Sequence, residues 1–147
     1  MRVTLDSPAS APQPANAYYS QVARVELPGQ GALLYLSGQV ADGPDLATQS
    51  RGVFETIAAL LDAHGATLDD VINIRTYLTD IGGLHEYGAV RREFLTGTAP
   101  TSMTFEVARL FEPDALVEVE VVAAVGAGPR DRRPSGTGAG GERRAPA

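Results

Sequence analysis

Cysteine is missing from all 147 residues, which excludes disulfides, thiolate metal sites and cysteine nucleophiles. Lysine is missing as well, and all 12 basic residues are arginine. Schiff-base catalysis through a lysine amine, including the usual anchor for pyridoxal phosphate, is therefore excluded. His64 and His85 supply all the imidazole, and neither has a partner at a metal-ligand spacing. No apolar run approaches the roughly 20 residues that span a bilayer. The first residues hold no apolar stretch of the kind that forms a secretory signal. G-x-S-x-G and Walker motifs are absent, and the Gly136–Gly141 string in the Gly-rich tail follows no strand and opens no helix pattern, which argues against hydrolase-elbow, nucleotide and dinucleotide folds. A cytoplasmic protein that uses neither metal nor membrane is the expectation.

What is present suits one domain with a real core: 44% apolar and 20% charged residues, with a net charge of -6. The stretch from Pro129 to Ala147 carries five arginines against Asp131 and Glu142, a contribution of +3, so the rest of the chain is at -6 - 3 = -9. Such an acidic body repels phosphate backbones and makes nucleic acid a poor partner. Composition divides the chain into an extended Pro/Ala/Ser-rich segment over residues 1–16, a domain over residues 17–126, and a disordered Gly/Pro/Arg-rich tail over residues 127–147.

Within the domain the periodicity switches repeatedly. Ser20–Leu27 and Ala32–Ser37 read as strands separated by Pro28-Gly29. Gln49–His64 places Val53, Ile57, Leu60 and Leu61 at helical spacing, with Gly65 after it as a helix stop. Val71–Leu78 alternates as a strand. Leu84, Tyr87 and Phe94 mark a second helix, and Thr101–Leu110 and Leu116–Val122 two more strands. The last two are expected to form a hairpin through Phe111–Ala115. The order is ββαβαββ, an α+β domain with helices on one sheet face. The other face needs cover that one small domain cannot supply, so self-association is expected.

Candidate chemistry concentrates in these last strands. Val117-Glu118-Val119-Glu120-Val121 sends valines to one face and glutamates to the other. Two carboxylates side by side raise at least one pKa, which suits a general base or acid. Ser102, Thr104 and Glu106 alternate with Met103, Phe105 and Val107; if the strands pair, hydroxyls and carboxylates share one surface.

Several short motifs occur in an order that resembles one family. Ala17-Tyr18-Tyr19-Ser20-Gln21, Ser37-Gly38-Gln39, Leu68-Asp69-Asp70-Val71 and Tyr77-Leu78-Thr79-Asp80 are similar to motifs of the RidA/YjgF family. Glu106-Val107-Ala108-Arg109-Leu110 and Val117-Glu118-Val119-Glu120 resemble its C-terminal strands. The likeness runs from about Tyr18 to Val125. It implies a fold like the Bacillus-type chorismate mutase and a homotrimer with a central barrel and small-molecule clefts between subunits. It also implies hydrolysis of reactive enamines and imines with no metal or organic cofactor.

By the same resemblance Glu118 holds the attacking water and Tyr19 lines the cleft, beside Gly38. Ser102 stands where the family has an arginine that grips the substrate carboxylate, Thr104 where it has Cys or Ser, and Gly88 where it has Asn. A hydroxyl cannot replace a bidentate guanidinium. Three expectations follow. The first is an enzyme of the biosynthetic-tailoring kind, acting on a neutral imine, enamine or carbonyl compound. The second is a protein that binds a metabolite without turnover. The third is a residual imino-acid deaminase in which Arg75, Arg91 or Arg92 supplies the anion contact.

Overall fold

A computed structural model describes Met1–Ala127. The residues expected to form a disordered tail, apart from Ala127, lie outside the described residues. In chain order the elements are β1 (Arg2–Asp6), β2 (Val22–Leu27), β3 (Gly31–Gln39), α1 (Leu46–Asp62), β4 (Val71–Leu78), α2 (Leu84–Phe94), β5 (Thr101–Glu106) and β6 (Val117–Gly126). The ββαβαββ order is observed, and β1 precedes it. The six strands form one sheet in the order β1-β2-β3-β6-β4-β5.

Local chemistry sets the helix ends. Asp45 caps α1 by accepting the Thr48 N–H at 2.8 Å. At the other end Gly65 adopts φ 74, and Ala66 donates its N–H back to the Leu61 carbonyl, closing the helix. The apolar stripe Val53, Phe54, Ile57, Leu60 and Leu61 is fully buried against Leu34, Ile74, Val117 and Val119. Truncating one of these large side chains to Ala costs about 2–5 kcal/mol. α2 is pinned to β4 by a buried hydroxyl pair, Thr76 Oγ1 and Tyr87 Oη at 2.7 Å.

The expected β5–β6 hairpin does not form. β5 runs parallel to β4, reached through α2, and β6 lies antiparallel between β3 and β4. Parallel neighbours need a crossover, and α2 provides it. The chain from Val107 to Leu116 then passes over the end of β4, where Val107 N–H binds the Leu78 carbonyl and Thr79 N–H binds the Leu116 carbonyl.

The first residues also differ from expectation. They are extended, but Arg2–Asp6 pairs antiparallel with β2 along its length, and Pro8 and Ala11 are buried. The Gln21 side chain donates to the Pro12 carbonyl at 2.8 Å. This segment is part of the folded unit because its backbone completes the sheet edge and the far end of the core.

Both helices cover the sheet face that carries Ile74, Val117 and Val119. The opposite face is open and partly apolar. Leu5 is 68% exposed, Met103 50%, Tyr35 49% and Phe105 42%.

Candidate active site

Register decides which polar groups meet. Ser102 and Thr104 sit opposite Ile74 and Thr76, which lie opposite Val121 and Val119. Residues directly opposite on paired strands share a face. Ser102 and Thr104 therefore face the helix layer with the valines. Glu118 lies opposite Tyr77, and Glu120 opposite Arg75, on the open face with Phe105. The single surface of hydroxyls and carboxylates expected from alternation is thus corrected. β4 separates the two strands, and their polar residues lie on opposite faces of the sheet.

On the open face Glu118 rests on Gly38. A Cβ at position 38 would overlap Glu118 Oε1, so glycine is what lets the carboxylate lie flat against the end of β3. Glu118 is half-buried. Burial holds its pKa above the usual carboxylate range, and the neighbouring Glu120 charge adds to the shift. Glu120 is engaged elsewhere: Tyr77 Oη donates to its Oε1 at 3.0 Å, and Arg75 Nη1 lies 3.3 Å from the same oxygen. Burial and the Glu120 hydrogen bond raise the Tyr77 pKa, and its ring stacks on Phe105 with centroids 5.9 Å apart. Of the two glutamates, Glu120 is tied into a fixed network. Glu118 has no hydrogen-bond partner among the described residues.

Tyr19 and Gly38 line a common cavity of about 710 Å³ between the N-terminal segment and α1. Tyr19, Gly38 and Glu118 therefore gather at one end of the sheet. Gly88, Ser102 and Thr104 belong to the α2–β5 side. Gly88 lies one turn before Arg91, and a Cβ there would meet Arg92 Nη1 at 3.4 Å. Thr104 is half-buried beside Thr76.

The sequence named Arg91 among three candidate arginines but did not place it; the packing of α2 does. Arg91, in the last turn of α2, donates through Nη1 to Ser102 Oγ at 2.9 Å. It also lies close enough to the Tyr87 hydroxyl to oppose the rise that burial gives the Tyr87 pKa. Among the described residues Arg91 makes no ion pair, whereas Arg24, Arg51 and Arg75 each do. A guanidinium held by neutral hydroxyls is a ready anion partner. Of the three arginines considered for the anion contact, Arg75 is spent on Glu120, and Arg91 is the one placed at Ser102.

Comparison with known proteins gives this arrangement a family. The family model described as Endoribonuclease L-PSP matches residues 8–125. The chain belongs to the RidA/YjgF family. A RutC family protein of Saccharolobus solfataricus is 35% identical over 121 residues, 77% of this chain and 90% of its own. One of Pyrococcus horikoshii is 33% identical over 122 residues, covering 78% and 91%. Among solved structures, a YjgF family member of Mycobacterium tuberculosis is 31% identical with a TM-score of 0.71, covering 84% of this chain and 100% of its own. RidA of a Psychrobacter species is 26% identical with a TM-score of 0.73, covering 83% and 99%. Among the described residues no helix is long and apolar enough to cross a membrane, and no group of His, Cys, Asp or Glu is placed to hold a metal.

Proposed function

We propose that this RidA/YjgF protein hydrolyses an imine or enamine by acid–base chemistry at Glu118. The carrying observation is the half-buried Glu118 carboxylate, seated on Gly38 with its pKa raised. A group titrating closer to neutrality can give and take protons in one cycle. Glu118 takes a proton from water as the water oxygen attacks the imine carbon. That proton returns to nitrogen to give the neutral carbinolamine; Glu118 then carries the carbinolamine hydroxyl proton to the same nitrogen as the C–N bond breaks, and ammonia and a carbonyl product leave. Tyr19 lines the approach. No step calls on a cofactor.

The reaction centre needs more than one chain. Glu118 and the Arg91–Ser102 pair occupy opposite sheet faces, and the open face exposes Leu5, Tyr35, Met103 and Phe105. A homotrimer in which this face becomes the central barrel would cover those side chains. It would also bring Ser102, Thr104 and Gly88 of one subunit to the Glu118, Tyr19 and Gly38 of the next. In that cleft Arg91, reaching Ser102 from α2, takes the role that the resemblance gives to an arginine on β5. An imino acid with a free carboxylate is therefore favoured over a neutral substrate. RNA is disfavoured, because Asp42, Glu55, Glu112 and Asp114 line the cavity beside Gly38 and repel phosphate.

The test is turnover of 2-iminobutyrate by Glu118→Gln, with light scattering on a sizing column as the control for assembly. A trimer with activity reduced by about 10²-fold or more supports the reading. Unchanged turnover removes the acid–base role and leaves metabolite binding without catalysis as the better account.

A further inference from the structure

The open sheet face carries a hollow beside the site that the proposed hydrolysis leaves unassigned. Leu5 lies opposite Ala23, and Ala23 opposite Tyr35, so the three form one row across β1, β2 and β3. Ala23 is the short side chain of that row, and the surface dips between its two large neighbours. Tyr18, Tyr19 and Ser37 close the dip at the end where Gly38 follows, giving a hollow of about 470 Å³. Small-molecule sites typically span about 300–1,000 Å³. Tyr19 is a wall both of this hollow and of the cavity that includes Gly38, so the two adjoin at that ring.

The lining is aromatic and uncharged. Three tyrosine rings and Leu5 supply most of it, and no Asp, Glu, Arg or His is among its residues. Ser37, at the end next to Gly38, is spent inward. Its Oγ donates to the Ser20 carbonyl at 2.8 Å, and its N–H donates to the Gln21 carbonyl at 2.9 Å. Ser37 therefore leaves no free donor for a polar group of a ligand. What the hollow offers is apolar area to bury, and ring contacts that add to burial when the occupant is itself aromatic.

We infer that this hollow receives the side chain of the substrate, and that the side chain is an aromatic ring on a short stem. The inference rests on the imino-acid reading: with the carboxylate at Arg91 and the imine carbon at Glu118, the hollow behind Tyr19 and Ser37 is apolar space beside the reacting carbon. Ala23 sets its depth and is the specificity-determining residue. In the trimer the next subunit lies over Leu5 and Tyr35, and the short Ala23 keeps the space beneath it open.

Keto acids, the products of the proposed reaction, report side-chain recognition without turnover. Titration calorimetry on the full chain compares 3-phenyl-2-oxopropanoate with 2-oxobutanoate, which share the carboxylate and the carbonyl. The phenyl compound should bind at least about tenfold more tightly, the scale for burying a benzyl group in place of an ethyl group. Ala23→Leu fills the dip and should remove most of that preference while leaving 2-oxobutanoate binding unchanged. Tyr35→Ala removes a wall and should weaken the phenyl compound alone. Val3→Ala, on the same face outside the hollow, should change neither. Light scattering should give every variant the parental assembly state; loss of assembly in Ala23→Leu means that another subunit fills the hollow, and overturns the inference. Equal affinity for the two keto acids in the parent also overturns it, even where Glu118 proves essential to turnover. Failure of both to bind removes it together with the imino-acid reading. A phenyl preference that Ala23→Leu abolishes sustains it even where no imine is hydrolysed.

Discussion

Replacing Arg91 by Leu isolates the anion contact. The structural cost is small, because Arg91 makes no ion pair among the described residues and its described hydrogen bond goes to the exposed Ser102. A surface change of this kind shifts stability by about 0.5 kcal/mol or less, so fold and assembly state should be unchanged. The functional cost is larger. A hydrogen bond to a charged group contributes about 1.5–3 kcal/mol, so kcat/KM for 2-iminobutyrate should fall roughly ten- to hundredfold. Most of the fall should appear in KM, since the carboxylate is gripped in ground and transition states alike. Ser102→Ala removes a neutral contact of about 0.5–1.5 kcal/mol and should cost roughly two- to tenfold. Arg91→Lys keeps the charge but not the fork, and should fall between them. Steady-state kinetics with the imine generated in situ provides the measurement. An unchanged KM in Arg91→Leu would refute the assignment and return the neutral-substrate reading to first place.

Three further outcomes follow from the same geometry. Gly38→Ala places a methyl group where Glu118 Oε1 lies, so the carboxylate is pushed aside; turnover should drop nearly as far as in Glu118→Gln, with assembly intact by light scattering. Folding raises the Glu118 pKa, so this residue's effect on stability is absent at low pH and becomes a penalty as pH rises from the ordinary carboxylate range through the raised value. Glu118→Gln should therefore melt higher than the parent near pH 7 and equally at low pH; equal melting at both would contradict a raised pKa. Deleting residues 1–12 removes β1, the buried Ala11 and the Gln21 acceptor, and should lower the melting temperature by several degrees in scanning fluorimetry.

Much of the fold was legible because it rests on local periodicity. Val71–Leu78 is rich in β-branched residues and forms β4 with those bounds, its buried alternation running through Ile74, Thr76 and Leu78 after an irregularity between Val71 and Asn73, and the Val53–Leu61 stripe forms the buried face of α1. The identity of the strand neighbours was not legible. Alternation in Thr101–Glu106 and Val117–Gly126 says nothing about which strand lies between them. The α2 crossover decides it, by laying β5 parallel to β4. β1 was hidden because Arg2–Asp6 is a short, mostly exposed edge strand followed by Pro- and Ala-rich chain, so composition outweighed its alternation.

The candidate site divides in the same way. Glu118 was legible from the Val-Glu-Val-Glu-Val pattern and Gly38 from its motif, since each depends on neighbours in sequence. The partnership of Arg91 with Ser102 depends on how α2 packs over β5, which spacing alone does not carry. The acidic cavity draws on four separate segments, and no single stretch announces it.

The central claim is that each reaction centre combines Glu118 of one subunit with Arg91 and Ser102 of another. Subunit mixing tests it directly. Glu118→Gln and Arg91→Leu chains, each impaired alone, are unfolded together in equal amounts, refolded, and assayed on 2-iminobutyrate. Random trimers then place an intact Glu118 opposite an intact Arg91 in about a quarter of the clefts, so the mixture should recover about a quarter of the parental rate. A rate no higher than the average of the two variants assayed separately would contradict a shared cleft.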